Sequence, residues 1–201
     1  MTTLKDVETL APSANDNPAC RLLDADRCTL TVIDMQEKLL PKMFNREQLI
    51  SNTRLLLRLG CLTKLPVVAT TQYRKGLGAT VPEIADLIGN MVPHDKTTFS
   101  GFGAESFCAE IKNYYERDTL VLCGVETHVC VMQTAISALN RGYAVHVVAD
   151  AVGSRTEPSW RAGLKRMEDA GAVISTTEMT IFELLRRSDS AVFKEMLQHL
   201  K

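Results

Sequence analysis

Residues 119–130 read TLVLCGVETHVC, an apolar run that breaks at Gly124 and restarts as an amphipathic segment carrying a cysteine. The pattern predicts a strand over residues 119–125, a tight turn, and a helix over about residues 127–141 whose first turn holds Cys130. The strand is the most apolar in the chain and is expected at the centre of a sheet. The helix behind it is apolar on most faces, at Val129, Val131, Met132, Ala135, Ile136 and Leu139, and is expected to pack deep in the molecule. A cysteine in the first turn of a helix faces free backbone N–H groups and the positive end of the helix dipole, both of which favour thiolate over thiol. The same position also suits an inert buried cysteine, because free cysteine is among the most buried residue types. The rest of the chain has to decide between the two.

Working outward, the same strand–turn–helix unit recurs. Residues 28–35 (CTLTVIDM) are β-branched and apolar, and predict a buried strand whose C-terminal end carries Asp34. Leu49, Ile50, Leu56, Leu57 and Leu59 follow at helical spacing, with Gly60 as the expected stop. Residues 66–71 (PVVATT) predict a second strand, and the loop at 72–80 (QYRKGLGAT) is long for an α/β connection, hence a candidate for lining a site. A short helix over 81–87 and a short strand over 91–93 come next, with Lys96 and Phe99 in the loop beyond, and Phe107, Cys108, Ile111 and Tyr114 share one helix face. After the central unit, residues 143–149 (YAVHVVA) predict a fifth strand with Asp150 past its end, and residues 172–174 a sixth. Ser154 with Glu157, and Ser175 with Glu178, form capping-box patterns opening the helices that follow these two strands. The last helix carries Phe193, Met196, Leu197 and Leu200 on one face, suited to the domain's own core or to a partner subunit.

Strands alternating with helices predict an α/β fold: a three-layer α/β/α, Rossmann-like arrangement around a six-stranded, mostly parallel sheet in the order 3-2-1-4-5-6. In such sheets ligands bind beyond the carboxyl ends of the strands, near the point where strand order reverses. Asp34, Lys96 and Cys130 each lie just past such an end. Three residues distant in sequence are thereby expected in one crevice.

Composition bounds the function. The chain of 201 residues suits one domain, expected over 27–201, after a polar, turn-prone leader over 1–26 that is flexible or draped on the surface. With 23 basic and 24 acidic residues and no basic tract interleaved with aromatics, neither nucleic acid nor a membrane surface is an expected partner, whereas a small-molecule substrate is. Six cysteines without a CxxC pair, and no signal peptide before them, predict reduced thiols and a cytoplasmic protein. No run approaches the roughly 18 consecutive apolar residues of a membrane span.

An acid, a cation and a thiol suffice for nucleophilic attack on an amide-like carbon. Asp34 can take the proton from Cys130, and Lys96 can hold that carboxylate and stabilise the thiolate. Backbone N–H groups at the helix start, including that of Cys130, can receive the developing oxyanion, a role worth about 3 to 4 kcal/mol per donor.

With these residues in place the chain resembles the isochorismatase-like hydrolases, the cysteine hydrolase superfamily that includes nicotinamidase and N-carbamoylsarcosine amidohydrolase. The matching features are Asp-Met-Gln at 34–36, the Lys96 segment, and GVETHVC at 124–130. The stretches TTQYRKGLGATVPE at 70–83, KTTFSGFG at 96–103 and VADAVGSR at 148–155 resemble the isochorismatase domain-containing group most closely. The resemblance implies that Asp34, Lys96 and Cys130 are a catalytic triad. It also implies a non-proline cis peptide between Val125 and Glu126, which would turn the Glu126 N–H toward the oxyanion beside that of Cys130.

Departures from the family narrow the expectation. Zinc-containing nicotinamidases are expected to place an Asp and paired His residues after the second strand, but this chain has Gln72, Tyr73, Arg74 and Lys75 there. Neither a metal nor another cofactor is therefore expected. Isochorismatase itself acts on a vinyl ether and is expected to lack the cysteine, so Cys130 favours amide, imide or ureido substrates cleaved at a C–N bond through a thioester. Gln36, Tyr73 and Phe99 are candidate pocket residues because they sit at strand ends. His128 lies two residues from Cys130, points to a different helix face, and is expected to be structural rather than the base. Asp150 and Arg155 are expected to hold their loop by an ion pair, and Cys123 to be inert core. A homo-oligomer is expected. The rival to the enzyme is a non-catalytic, oligomeric binding or scaffold protein that keeps the fold; such a scaffold has no physical need to retain acid, lysine and thiol together.

Overall fold

The computed structural model describes residues 17–200. The leader expected over 1–26 is thus described from residue 17 onward, and residues 1–16 lie outside the described residues. Asn17 caps a short 3-10 turn at Pro18–Cys20. Leu23 is buried, its N–H donating to Glu183 at 3.0 Å and its carbonyl accepting from Arg186 at 2.6 Å.

Six strands alternate with helices: β1 (Cys28–Ile33), α1 (Arg46–Thr63), β2 (Val67–Gln72), α2 (Arg74–Leu77), α3 (Pro82–Ile88), β3 (His94–Lys96), α4 (Glu105–Asn113) and β4 (Thr119–Val125) form the first part. A π-helical turn at Thr127–Val131 then leads into α5 (Met132–Leu139), β5 (Ala144–Gly153), α6 (Glu157–Asp169), β6 (Val173–Ser175), α7 (Thr177–Leu185) and α8 (Ala191–Met196). The strands form one sheet in the order β3-β2-β1-β4-β5-β6, and every pairing is parallel. This is the expected doubly wound order.

Side-chain alternation in β4 divides the core. Val121, Cys123 and Val125 join α1, α3, α7 and α8 on one face, while Leu120 and Leu122 join α4, α5 and α6 on the other. Both faces are covered, which is why β1 is buried at every position rather than alternating. The chain runs outward from β1 through β2 and β3 and returns to β4 at β1's other edge, so the reversal of strand order falls between β1 and β4. No helix among the described residues is long and apolar enough to cross a membrane.

Several local expectations are corrected. Helix α1 runs past Gly60 to Thr63 and closes on Lys64, whose left-handed φ of 56° lets its N–H cap the Gly60 carbonyl. The third strand falls at His94–Lys96, not 91–93: it is an edge strand whose position is set by pairing with β2, and the apolar Met91 and Val92 do not mark it. Strand β5 continues through Asp150 to Gly153, because a bulge lets it advance from Val147 to Val152 while β4 advances only from Leu122 to Gly124. The N-caps of α6 and α7 are Thr156 and Thr176, each accepting from the N–H three residues on, rather than Ser154 and Ser175. Those two serines instead bond to His128 and Thr180. Helix α8 docks on the domain itself, with Met196 fully buried.

Candidate active site

The sheet delivers its functional side chains at the carboxyl ends of β1, β2, β3 and β4. Asp34 follows β1 directly, with a left-handed φ of 51°. Its carboxylate is fully buried: Oδ1 accepts from Thr70 Oγ1 at 2.7 Å, and Oδ2 accepts from Lys96 Nζ at 2.7 Å. Lys96 ends β3 and is 3% exposed. A buried carboxylate and ammonium in contact compensate each other's desolvation, which neither could bear alone.

Cys130 reaches this pair from the other side of the strand reversal. Two features of the β4 exit place it. At Gly124, with φ 111°, a Cβ would lie 2.0 Å from the Ile33 carbonyl oxygen, so only glycine lets β4 lie this close to the end of β1. The Val125–Glu126 peptide is cis, as the family resemblance implies. Beyond it the chain makes a π turn instead of the expected first turn of an α-helix: the Glu126 carbonyl accepts from Val129 at 3.0 Å and from Val131 at 3.2 Å, and the Met132 N–H reaches back to Thr127. Gly163 of α6 packs against this turn so tightly that a Cβ there would lie 2.9 Å from His128 Cα.

The Cys130 thiol is 6% exposed. Burial, reinforced by the Asp34 carboxylate and opposed by the Lys96 ammonium, pushes it up to about 12. The expectation that the helix start alone favours thiolate is therefore corrected. Enclosure beside the carboxylate thus opposes ionisation of this thiol, and only the Lys96 ammonium favours it.

The structure brings Asp34, Lys96 and Cys130 together, and the remaining candidates divide. Gln36 is fully buried and braces the backbone: it accepts from the Gln72 N–H at 2.7 Å and donates to the carbonyls of Gln72 at 3.1 Å and Gly78 at 2.8 Å. Tyr73 and Phe99 are 51% and 52% exposed at the ends of β2 and beyond β3. His128 bonds through Nδ1 to Ser154 Oγ at 3.0 Å. The expected Asp150–Arg155 pair is absent: Arg155 pairs with Glu126 at 2.9 Å, and Asp150, held within β5, accepts from the N–H and hydroxyl of Thr177. Cys123 is core, with burial pushing its thiol up to about 12.

Sequence reasoning placed Gln72 in a candidate site-lining loop without singling it out, and it missed Thr70. Gln72 pairs in register with Lys96 across β2 and β3, so it enters the site only once strand order and register are known. Among the described residues no group of three or more His, Cys, Asp or Glu could hold a metal ion. Cavities also lie off the site. One of about 140 Å³ is lined by residues including Arg27, Asp118 and His146, another, of about 130 Å³, by residues including Thr71, Arg74 and Ile88, and neither is lined by Asp34, Lys96 or Cys130.

Comparison with known proteins agrees with this fold. A family profile described as the isochorismatase domain matches residues 28–179. Isochorismatase domain-containing protein 2 of Danio rerio is 37% identical over 167 residues, which is 83% of this chain and 83% of that protein. Among solved structures, the MAR1 ribonuclease of Caenorhabditis elegans is 35% identical with a TM-score of 0.83, covering 90% of this chain and 92% of its own. The YcaC gene product of Escherichia coli, described as an octameric hydrolase of unknown specificity, is 27% identical with a TM-score of 0.83, covering 89% and 90%.

Proposed function

Because the chain belongs to the isochorismatase family of hydrolases, we propose that it cleaves a C–N bond in a small amide, imide or ureido compound through a thioester on Cys130, without a metal or other cofactor. The observation that carries this reading is the convergence of a buried acid–lysine pair and a nearly enclosed thiol at the point where strand order reverses.

Each residue has a role in the reaction. As Cys130 Sγ attacks the substrate carbonyl carbon, Asp34 takes the thiol proton, and the Lys96 ammonium offsets the negative charge now shared by sulfur and substrate. The Glu126 N–H, after the cis peptide, and the Cys130 N–H receive the oxyanion of the tetrahedral intermediate. The intermediate collapses with cleavage of the C–N bond, and the departing amine takes the proton from Asp34. Water then gives a proton to Asp34 and adds to the thioester. Loss of the acid product returns the sulfur, and the proton on Asp34 restores the thiol. A thiol resting at about 12 makes Asp34 necessary, because too little thiolate exists at neutral pH to act unaided.

Tyr73 and Phe99, exposed at the strand ends, are proposed to line the approach for substrate, and Gln36 to support it from beneath. A cytoplasmic homo-oligomer is proposed on the free cysteines among the described residues and on the octamer reported for the E. coli relative. The test is intact-mass measurement after incubation with amides, imides and carbamoyl compounds, beside a Cys130→Ala control. A Cys130-dependent acyl adduct or turnover is expected. If neither appears with any of these compounds, the chain is a binding or scaffold protein that keeps the fold.

A further inference from the structure

Gln72 occupies the last position of β2, half-buried between the cation and the nucleophile. Its Oε1 accepts from Lys96 Nζ at 2.6 Å and lies 3.9 Å from Cys130 Sγ, at the long end of a thiol hydrogen bond. The amide cannot be reversed without loss, because its Nε2 donates to the Thr97 carbonyl at 3.0 Å and a carbonyl only accepts. Its backbone is equally fixed: the side chain of Gln36 accepts from the Gln72 N–H and donates to the Gln72 carbonyl. An oxygen held from both ends of its amide is therefore aimed at a point shared by the ammonium and the thiol.

We propose that Gln72 is a positioning residue whose amide oxygen fixes the Lys96 ammonium beside Asp34 and holds the proton on the Cys130 thiol until substrate arrives. The proposal rests on the reading of Cys130 as nucleophile. A neutral acceptor suits this place better than a charged one. An oxygen lone pair facing sulfur favours S–H over S⁻, and the same oxygen draws on the lysine charge that would otherwise act on the sulfur in full. Both effects keep the thiol protonated, yet neither competes with Asp34 for the lysine as a second carboxylate would. The charged groups acting on the thiol are Asp34 from the end of β1, which opposes ionisation, and Lys96 from β3, which favours it. Gln72 is the neutral third member between them.

The test reads the rate of Cys130 alkylation by iodoacetamide between pH 7 and 9, by peptide mass, with the exposed Cys20 and Cys61 as internal references. Gln72→Met removes the acceptor at similar length and is expected to speed Cys130 alkylation about tenfold, the change that one unit in thiol acidity produces. Gln72→Glu adds a negative charge at the same point and is expected to slow it by about tenfold or more. A merely structural glutamine would shift both variants in the same direction, following the loss of stability read from their melting temperatures. That result, or a change below about twofold in both, overturns the proposal. Should Gln72→Met fail to fold, Gln72→Asn withdraws the amide by one methylene and carries the same expected acceleration. Because alkylation needs no substrate, a chain without hydrolase activity would still report on Gln72, so this proposal and the hydrolase reading fail separately.

Discussion

The Asp34–Lys96 pair makes a quantitative prediction about stability that is independent of substrate. The two groups are 2.7 Å apart, and their side chains are 1% (Lys96) and 0% (Asp34) exposed. Asp34→Asn removes the countercharge and leaves the ammonium buried with only neutral acceptors, Gln72 Oε1 and the new amide. Leaving one member of a buried pair uncompensated costs about 3 to 5 kcal/mol, a fall in melting temperature of roughly 6 to 20 °C for a chain of this size. Lys96→Met strands the carboxylate in the same way, with Thr70 as its remaining donor. The double variant removes both charges, so its cost is expected to undercut the sum of the single costs by about 2 kcal/mol or more. Urea denaturation of the four proteins at pH 7 measures the cycle. Additive costs, or single variants within about 0.5 kcal/mol of the native chain, would refute the reasoning, since they would mean that the pair is hydrated.

Three further outcomes are expected. Cys130→Ala should abolish acyl-adduct formation in the mass assay while changing the melting temperature by only a few degrees, because it removes one sulfur and no member of the ion pair. Gly163→Ala should push its Cβ into the backbone at His128, lowering stability by about 1 to 3 kcal/mol and slowing Cys130 acylation at least tenfold through displacement of the π turn; an adduct rate equal to that of the native chain would show that the turn does not set the nucleophile. Finally, burial raises the thiols of Cys28 to about 11 and of Cys123 and Cys130 to about 12, from 9.0. Below pH 9 these groups are protonated in both states and add no pH dependence. Above it the unfolded chain releases protons that the folded chain keeps, so stability should fall by up to about 1.4 kcal/mol per thiol per pH unit. Cys123→Ala should be less stable at pH 8 yet decline more gently between pH 9 and 10.5, as read by denaturation at each pH.

The fold was legible in the sequence wherever burial on both faces of the sheet wrote itself as an uninterrupted apolar run. Residues 28–33 and 119–125 are marked in this way, and their alternation with helices suffices for a parallel sheet, while the expected order 3-2-1-4-5-6 is settled by the strand pairing itself. Positions fixed by pairing rather than by burial were not legible. The edge strand His94–Lys96 has no apolar run of its own, and the bulge that carries β5 past Asp150 leaves no residue signature. Capping boxes failed for a similar reason: Ser154 and Ser175 had the right spacing, but neighbouring threonines held the required backbone geometry and the serines found tertiary partners.

At the site the division is sharper. The sequence by itself marked the residues proposed here to do the chemistry, because an acid, a lysine and a cysteine at strand ends are local facts, and one topology rule expects them in one crevice. Only the tertiary structure decided the state in which they rest. Helix polarity favours a thiolate at Cys130, but the π turn replaces the helix start, and enclosure beside Asp34 pushes the thiol up to about 12. Gln72 likewise acquires its place from the register of β2 with β3. Residue identity sets what a group can donate or accept, whereas desolvation and distance set its charge, and those exist only once the strands have come together.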